Sequence, residues 1–281
     1  MRTPIRPPFL RRRLGAKLRR MREQAGLTLD EAAAKLDKAR SALNRIETGE
    51  TKADVHLARS IMDIYDIFDA NLLDEVREAA KTPWFRAYGF KDLGYVDVET
   101  AAARVSEFST SVIPGLLQTE AYIRALFRLR PNQDPIRLKN DTRVRIIRQA
   151  RLTDQNWPLE LSAVVDEGAL RREVGGVAVM REQLRHLIAV AELPTVTLQV
   201  LPLKRGVHHS MDGAFAILRF PDPEDPELLY VEYPGGALHI EEPEKVEEAK
   251  LSFDCLRSDD ALSPADSVAL LDRMASELHG P

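Results

Sequence analysis

Cysteine is nearly absent: Cys255 stands alone among 281 residues. A single thiol cannot close an intramolecular disulfide and supports no Cys-based metal site, so a reducing compartment is expected and a disulfide framework is excluded. Long apolar runs are missing too. No stretch approaches the roughly 18 residues of a membrane span, and the arginine-bearing N-terminus lacks the apolar segment and small-residue cleavage site of a signal peptide. The expectation is a cytoplasmic protein that stays off the membrane. Catalytic signatures are equally scarce, with no Walker loop, zinc-protease helix or nucleophile elbow. No His, Cys and carboxylate cluster stands at ligand spacing, so neither enzyme, cofactor nor metal is expected.

What the chain does have is a lopsided charge. Residues 1–60 carry 15 Lys/Arg against 7 Asp/Glu, a net of +8, which leaves 25 against 37, a net of −12, for residues 61–281. The whole-chain value of −4 conceals this. A basic segment attracts phosphate and an acidic body repels it, so one surface alone is suited to a duplex. The acidic excess also keeps the larger part soluble, or attracts a basic ligand. Two domains are expected, 1–82 and 83–281.

Within the basic part, Leu10, Leu14, Leu18, Met21 and Ala25 recur at helical spacing and turn Arg11, Arg12, Arg19 and Arg20 outward. Gly26 ends that helix. Thr28 and Glu31 then form a capping box in front of Ala32, Ala33 and Ala34, whose small side chains admit a closely packed neighbour. Leu36 closes the second helix. Asp37 stands where the turn needs a left-handed residue, and Asp tolerates that conformation better than most. A third helix is predicted from Arg40 to Thr48, with Leu43 and Ile46 inward and Arg40, Ser41, Asn44 and Arg45 outward. Two short helices joined by so tight a turn read as a helix-turn-helix, whose second helix enters the DNA major groove.

Side-chain chemistry agrees with that reading. Arg donates bidentately to guanine O6 and N7, and Asn pairs with adenine N6 and N7. Ser41 can touch a base, bond a phosphate or help open the helix. Thr28 and Lys38 at helix N-termini, and Lys52 after Gly49, suit phosphate contacts. Arg2 and Arg6 in the proline-rich leader are either a minor-groove arm or a solvated tail. Ala39 cannot cap the third helix, which weakens its start by roughly 1 kcal/mol. Further helices follow, from Val55 to Tyr65 and from about Asn71 to Ala80.

Residues 10–68 resemble the Cro/C1-type, or xenobiotic-response-element, helix-turn-helix family. The residues that carry the likeness are Leu18 to Thr28, then Leu43-Asn44-Arg45-Ile46-Glu47-Thr48-Gly49; Asp37 and Ala39 depart from the usual turn Gly and Ser/Thr cap. The resemblance implies a structural ion pair between Arg22 and Glu47, which would fix helix packing.

After Pro83 and Trp84 the pattern changes. Helices are predicted near 118–129, 134–152 and 177–191, and strands at Leu159–Val165, Thr195–Leu201, Ala214–Phe220 and Leu228–Tyr233. Short linkers predict that the last three neighbour one another antiparallel, with 237–241 extending the sheet and helices at 244–256 and 266–278 closing the chain. The fold class expected is therefore an all-α helix-turn-helix domain of about five helices plus a larger α+β domain with a mainly antiparallel sheet. The 204–213 connection, with His208, His209 and Asp212, holds more polar and glycine residues than a hairpin needs; it lines a pocket or partner surface, or is a solvated loop. Adjacent histidines do not share one face, and Ser210 beside His209 and Asp212 makes no triad.

Residues 84–277 resemble the uncharacterised C-terminal domain that accompanies this helix-turn-helix in many actinobacterial regulators. The likeness rests on 112–120 (Val-Ile-Pro-Gly-Leu-Leu-Gln-Thr-Glu), 166–172 (Asp-Glu-Gly-Ala-Leu-Arg-Arg), Val200-Leu201-Pro202, Arg219-Phe220-Pro221-Asp222 and Gly236-Ala237-Leu238. Together the resemblances imply a nucleoid-associated transcriptional regulator that binds double-stranded DNA, expected to be a homodimer. The alternative they imply is an antitoxin-like protein that binds a small acidic partner encoded nearby and autoregulates its operon. They carry over no catalytic residues.

Overall fold

A computed structural model describes residues 8–91, 94–130, 134–223 and 225–278. Arg2 and Arg6 lie outside them. The chain divides into two compact units between Ala101 and Ala102.

The first unit contains α1 (Phe9–Gln24), α2 (Leu29–Lys35), α3 (Arg40–Glu47), α4 (Val55–Tyr65), α5 (Leu72–Ala80), a 3₁₀ turn at Trp84–Tyr88 and α6 (Gly94–Ala101). Leu14, Leu18, Met21, Ala32, Leu43, Ile46, Ala58, Ile61 and Leu72 form its core. The predicted apolar face of α1 is the buried one, and Ala32 and Ala33 are small where α2 meets α3. Lys17 ties α1 to the start of α5, lying 2.5 Å from Asp69 and 2.8 Å from Glu75.

Residues 84–101 pack on this unit, whereas the sequence placed the domain boundary at 82/83. Pro8 cannot cap α1, and the Phe9 N–H donates instead to Asp97 of α6 at 2.5 Å. Trp84 Nε1 donates to Thr100 Oγ1, and Phe85 is buried. One expectation is corrected: of the four arginines expected to face outward, Arg11, Arg12 and Arg20 are half-buried, while Arg19 is exposed. Burial and the nearby Arg86 charge push the Arg11 guanidinium below its ordinary value, with Asp97 opposing them.

The second unit is α+β. Its elements are β1 (Arg104–Ser109), α7 (Glu120–Arg128), α8 (Pro135–Gln149), β2 (Glu160–Asp166), α9 (Glu167–Arg171), α10 (Val177–Val190), β3 (Val196–Leu201), β4 (Phe215–Arg219), β5 (Leu228–Tyr233), β6 (Gly236–Ile240), α11 (Pro243–Cys255), a π turn at Leu256–Asp260 and α12 (Pro264–Glu277). The sheet order is β3-β2-β1-β4-β5-β6; the first two pairings are parallel and the other three antiparallel. The mainly antiparallel sheet is therefore present, with β4 and β5 antiparallel neighbours and β6 extending the sheet as expected, but β3 is not beside β4. β3 is an edge strand against β2, and β4 pairs with β1. The 202–214 connection crosses two strands, and that crossing accounts for a length no hairpin needs.

One face of the sheet changes character along its strands. Phe108, Val164, Leu201, Ile217 and Leu229 pack with Val246, Phe253 and Leu256 from α11 and the π turn. The 112–120 segment is held by amide side chains: buried Gln183 donates to the Leu117 carbonyl and accepts from the Thr119 N–H, both at 2.7 Å. Gln118 and Gln149 add bonds to the Ile113 and Gly115 carbonyls. Unpaired backbone groups buried in such an irregular stretch would each cost about 1–3 kcal/mol, which explains why it needs amides at those positions.

Candidate nucleic-acid interface

Helix α3 is anchored on its buried side and exposed on its outer side. Leu43 and Ile46 point into the core, and Arg40, Ser41, Ala42, Asn44, Arg45 and Thr48 are exposed. At the C-terminal end, Arg22 Nε donates to Glu47 Oε1 at 2.8 Å and Nη2 to Oε2 at 2.9 Å, a bidentate pair with both residues buried. Arg22 Nη1 also donates to the Leu27 carbonyl at 2.9 Å. The Glu47 bonds raise the Arg22 guanidinium above its ordinary value against an opposing desolvation.

Two glycines permit this close approach. A Cβ on Gly15 would lie 2.5 Å from the Glu47 carbonyl oxygen, and one on Gly49 would lie 2.7 Å from the Arg12 Cα. Gly49 also takes φ 75°. Helix α3 can therefore rest directly on α1, the contact that sets its angle.

The N-terminal side is looser. Asp37 adopts φ 51°, and Ala39 provides no side-chain cap. Arg40 Nε lies 3.1 Å from Asp30 Oδ1, and Arg45 Nε lies 3.5 Å from Glu50 Oε2; all four side chains are exposed. Asp30 and Glu50 were not singled out in the sequence, although each acid adjoins a capping or turn residue.

The three candidate phosphate residues differ. Thr28 accepts from the Glu31 N–H at 3.3 Å, and its own N–H and hydroxyl donate to the Glu31 carboxylate at 2.8 and 2.7 Å, so its polar groups are all engaged. Lys52 donates to the Ala80 carbonyl at 2.5 Å, satisfying the end of α5. Lys38 is half-buried.

In the second unit the loop residues separate. His208 packs edge-on against Phe108, with ring centroids 5.7 Å apart, and Asp212 is exposed. His209 turns to Asp260: its N–H donates at 2.9 Å and its Nδ1 lies 2.8 Å away. Burial pushes the Asp260 carboxyl up, but the His209 and Arg205 bonds outweigh it and hold the group below its ordinary value. Beyond the Phe108 cluster, the same sheet face opens into a cavity of about 400 Å³, within the usual range for small ligands. Ser106, Ser162 and Thr197 stand in register along its floor, with Arg104, Arg219 and Lys250 among its walls. The Ser162 hydroxyl is buried without a hydrogen-bond partner among the described residues.

Among known families, a Helix-turn-helix domain matches residues 13–76, and a Domain of unknown function (DUF5753) matches residues 93–273. The chain belongs to the DUF5753 family. No curated protein and no solved structure matches it. The helix-turn-helix domain implies DNA binding and supports a regulator rather than an enzyme, whereas the DUF5753 part has no assigned function. No helix among the described residues is long and apolar enough to cross a membrane.

Proposed function

We propose that this DUF5753 member is a sequence-specific transcriptional regulator of the Cro/C1 type, reading the major groove with α3 as a homodimer. The carrying observation is the exposed face of Arg40, Ser41, Asn44 and Arg45 on a helix whose other side is fixed by the Arg22–Glu47 pair. Arg40 and Asn44 suit bidentate base contacts. Arg40 and Arg45 exchange their exposed carboxylates for the duplex at little cost, because exposed ion pairs contribute only about 0–1 kcal/mol. Lys38 and Lys52 are phosphate contacts, Lys52 on release of the Ala80 carbonyl. One recognition helix reads few base pairs, and pairing two of them one duplex turn apart multiplies specificity.

Selection of binding sites from a random duplex library tests this reading. A palindromic or repeated site bound far more tightly than random DNA at physiological salt is expected, with a dimer in sedimentation; equal affinity for all duplexes overturns it. The cavity over Ser106, Ser162 and Thr197 is where this unit would receive a small polar signal.

A second reading, the capture of a small acidic partner encoded nearby, is favoured by the edge strand β6. Leu238 and the adjoining Tyr233 are about half exposed there, and an open sheet edge can accept another strand. Co-purification with the neighbouring gene product is the expected result; separate elution at micromolar concentration would dismiss it.

A further inference from the structure

No ligand spacing along the chain leads to a metal site, but the fold brings His209, Cys255 and Asp259 together in the second unit, with a ring nitrogen, Sγ and a carboxylate oxygen all within 4.8 Å of one another. We propose that these three residues form a binding site for a divalent transition metal ion of the zinc class, with a fourth position left open to water or an exogenous ligand. The donor set is the first reason. Imidazole, thiolate and carboxylate together suit borderline ions such as Zn²⁺, whereas Mg²⁺ and Ca²⁺ take oxygen ligands.

The second reason is how firmly His209 is held. Its N–H donates to Asp260 at 2.9 Å, its carbonyl accepts from Ser252 Oγ at 2.6 Å, and its Nδ1 lies 2.8 Å from Asp260 Oδ2. With Nδ1 engaged by a carboxylate, Nε2 is the nitrogen with a free lone pair, the arrangement that orients metal-bound histidines. Asp260 is itself buried and braced by Arg205 Nε at 2.7 Å. It is therefore a positioning residue.

Backbone geometry is the third reason. Cys255 ends α11 and Asp259 and Asp260 belong to the π turn that continues it, an uncommon element that concentrates at functional sites. The turn presents Asp259 to the same side as Cys255 while Asp260 points inward beneath His209. Ligand atoms around tetrahedral zinc stand roughly 3.3–3.8 Å apart, so partly exposed side chains have only a small distance to close. On binding, the thiol ligates as thiolate and its proton leaves to solvent.

Reduced, chelator-stripped full-length protein titrated with Co²⁺ tests the site. One equivalent per chain should bind, with a thiolate-to-cobalt charge-transfer band in the near ultraviolet that added Zn²⁺ abolishes. Cys255→Ser should remove the band, and His209→Ala should weaken binding at least tenfold, each with unchanged circular dichroism because both side chains are partly exposed. Asp260→Asn should retain the band but lose roughly 10–100-fold in affinity, as expected of an outer-shell partner. Should that variant unfold, Asp259→Asn replaces it, with at least a tenfold loss expected. Absence of a charge-transfer band in the wild-type chain overturns the proposal. So does a band of unchanged affinity in the His209→Ala/Asp259→Asn double variant, which would mean an isolated thiol picking up metal.

Discussion

Arg40 Nε stands 3.1 Å from Asp30 Oδ1, so the first residue of the proposed reading helix is held by an acid at the start of the preceding one. Free protein and DNA complex would compete for the same guanidinium. Arg40→Ala is expected to lower discrimination between a selected site and random DNA by about 1–3 kcal/mol. Asp30→Asn is expected to tighten binding to every duplex several-fold, because it removes a competing partner and a negative charge facing phosphate. Fluorescence anisotropy at two salt concentrations measures both effects, and an unchanged specificity ratio for Arg40→Ala would refute the assignment.

Gly15 makes a separate prediction. Ala is the better helix former, yet its Cβ would meet the Glu47 and Ile46 carbonyl oxygens at 2.5 and 2.6 Å. Overpacking of this kind costs about 1–3 kcal/mol, more than propensity returns. Thermal unfolding of the first unit should therefore begin at lower temperature in Gly15→Ala, and a stabilised variant would contradict the described α1–α3 contact.

The Arg22–Glu47 pair should behave as a buried pair does. Glu47→Ala leaves the buried guanidinium with only the Leu27 carbonyl and the more distant Glu23 carboxylate, 3.6 Å away, and should cost about 3 kcal/mol, whereas replacing both Arg22 and Glu47 by apolar residues of similar size should recover most of that. Denaturant titration of Arg22→Met, Glu47→Leu and the double variant gives the comparison. Additive losses would mean that the two side chains do not act as a pair.

Asp54 brings a pH dependence. It accepts from the N–H groups of Leu57 and His56, each at 2.9 Å, at the start of α4. The Leu57 bond is the leading cause that holds its carboxyl below the ordinary value of 3.8, assisted by His56 and opposed by burial. A depressed folded-state value stabilises the protein above the ordinary carboxylate range, and the gain is lost as pH falls through the depressed value. Asp54→Ala should cost about 1 kcal/mol at neutral pH, and the gap should close in acid. The gap between Asp54→Asn and Asp54→Ala should stay constant, since an amide caps without titrating; a wild-type gap that persists unchanged into strong acid would rule out the charged cap.

Local chemistry was legible in the sequence where contacts are local. The Thr28–Glu31 box, the outward set Arg40, Ser41, Asn44 and Arg45, and the left-handed Asp37 each depend on residues within a turn or two. Arg104–Ser109 escaped notice as a strand because Arg104, Ser106 and Glu107 break the apolar pattern that identifies buried strands. Arg104 and Ser106 do so because part of their sheet face is the floor and wall of a polar cavity, whereas Glu107 lies on the opposite face. Only the place of β3 differs from the sequence expectation, because β3 enters its sheet in parallel after α10 and leaves by a crossing loop, so β3 and β4 are neighbours in sequence but not in space. His209 and Asp260 lie 51 residues apart, and no local spacing rule could join them.

Helix α6 has an unusual double membership. It falls within the 93–273 stretch matched by the DUF5753 family, yet its Asp97 closes the first turn of α1 in the helix-turn-helix unit. A fragment cut at residue 82 would therefore strip the reading domain of a part supplied from beyond its own family signature. Chimeras that exchange reading heads between relatives would need their junction after Ala101, so that α6 travels with the head it completes.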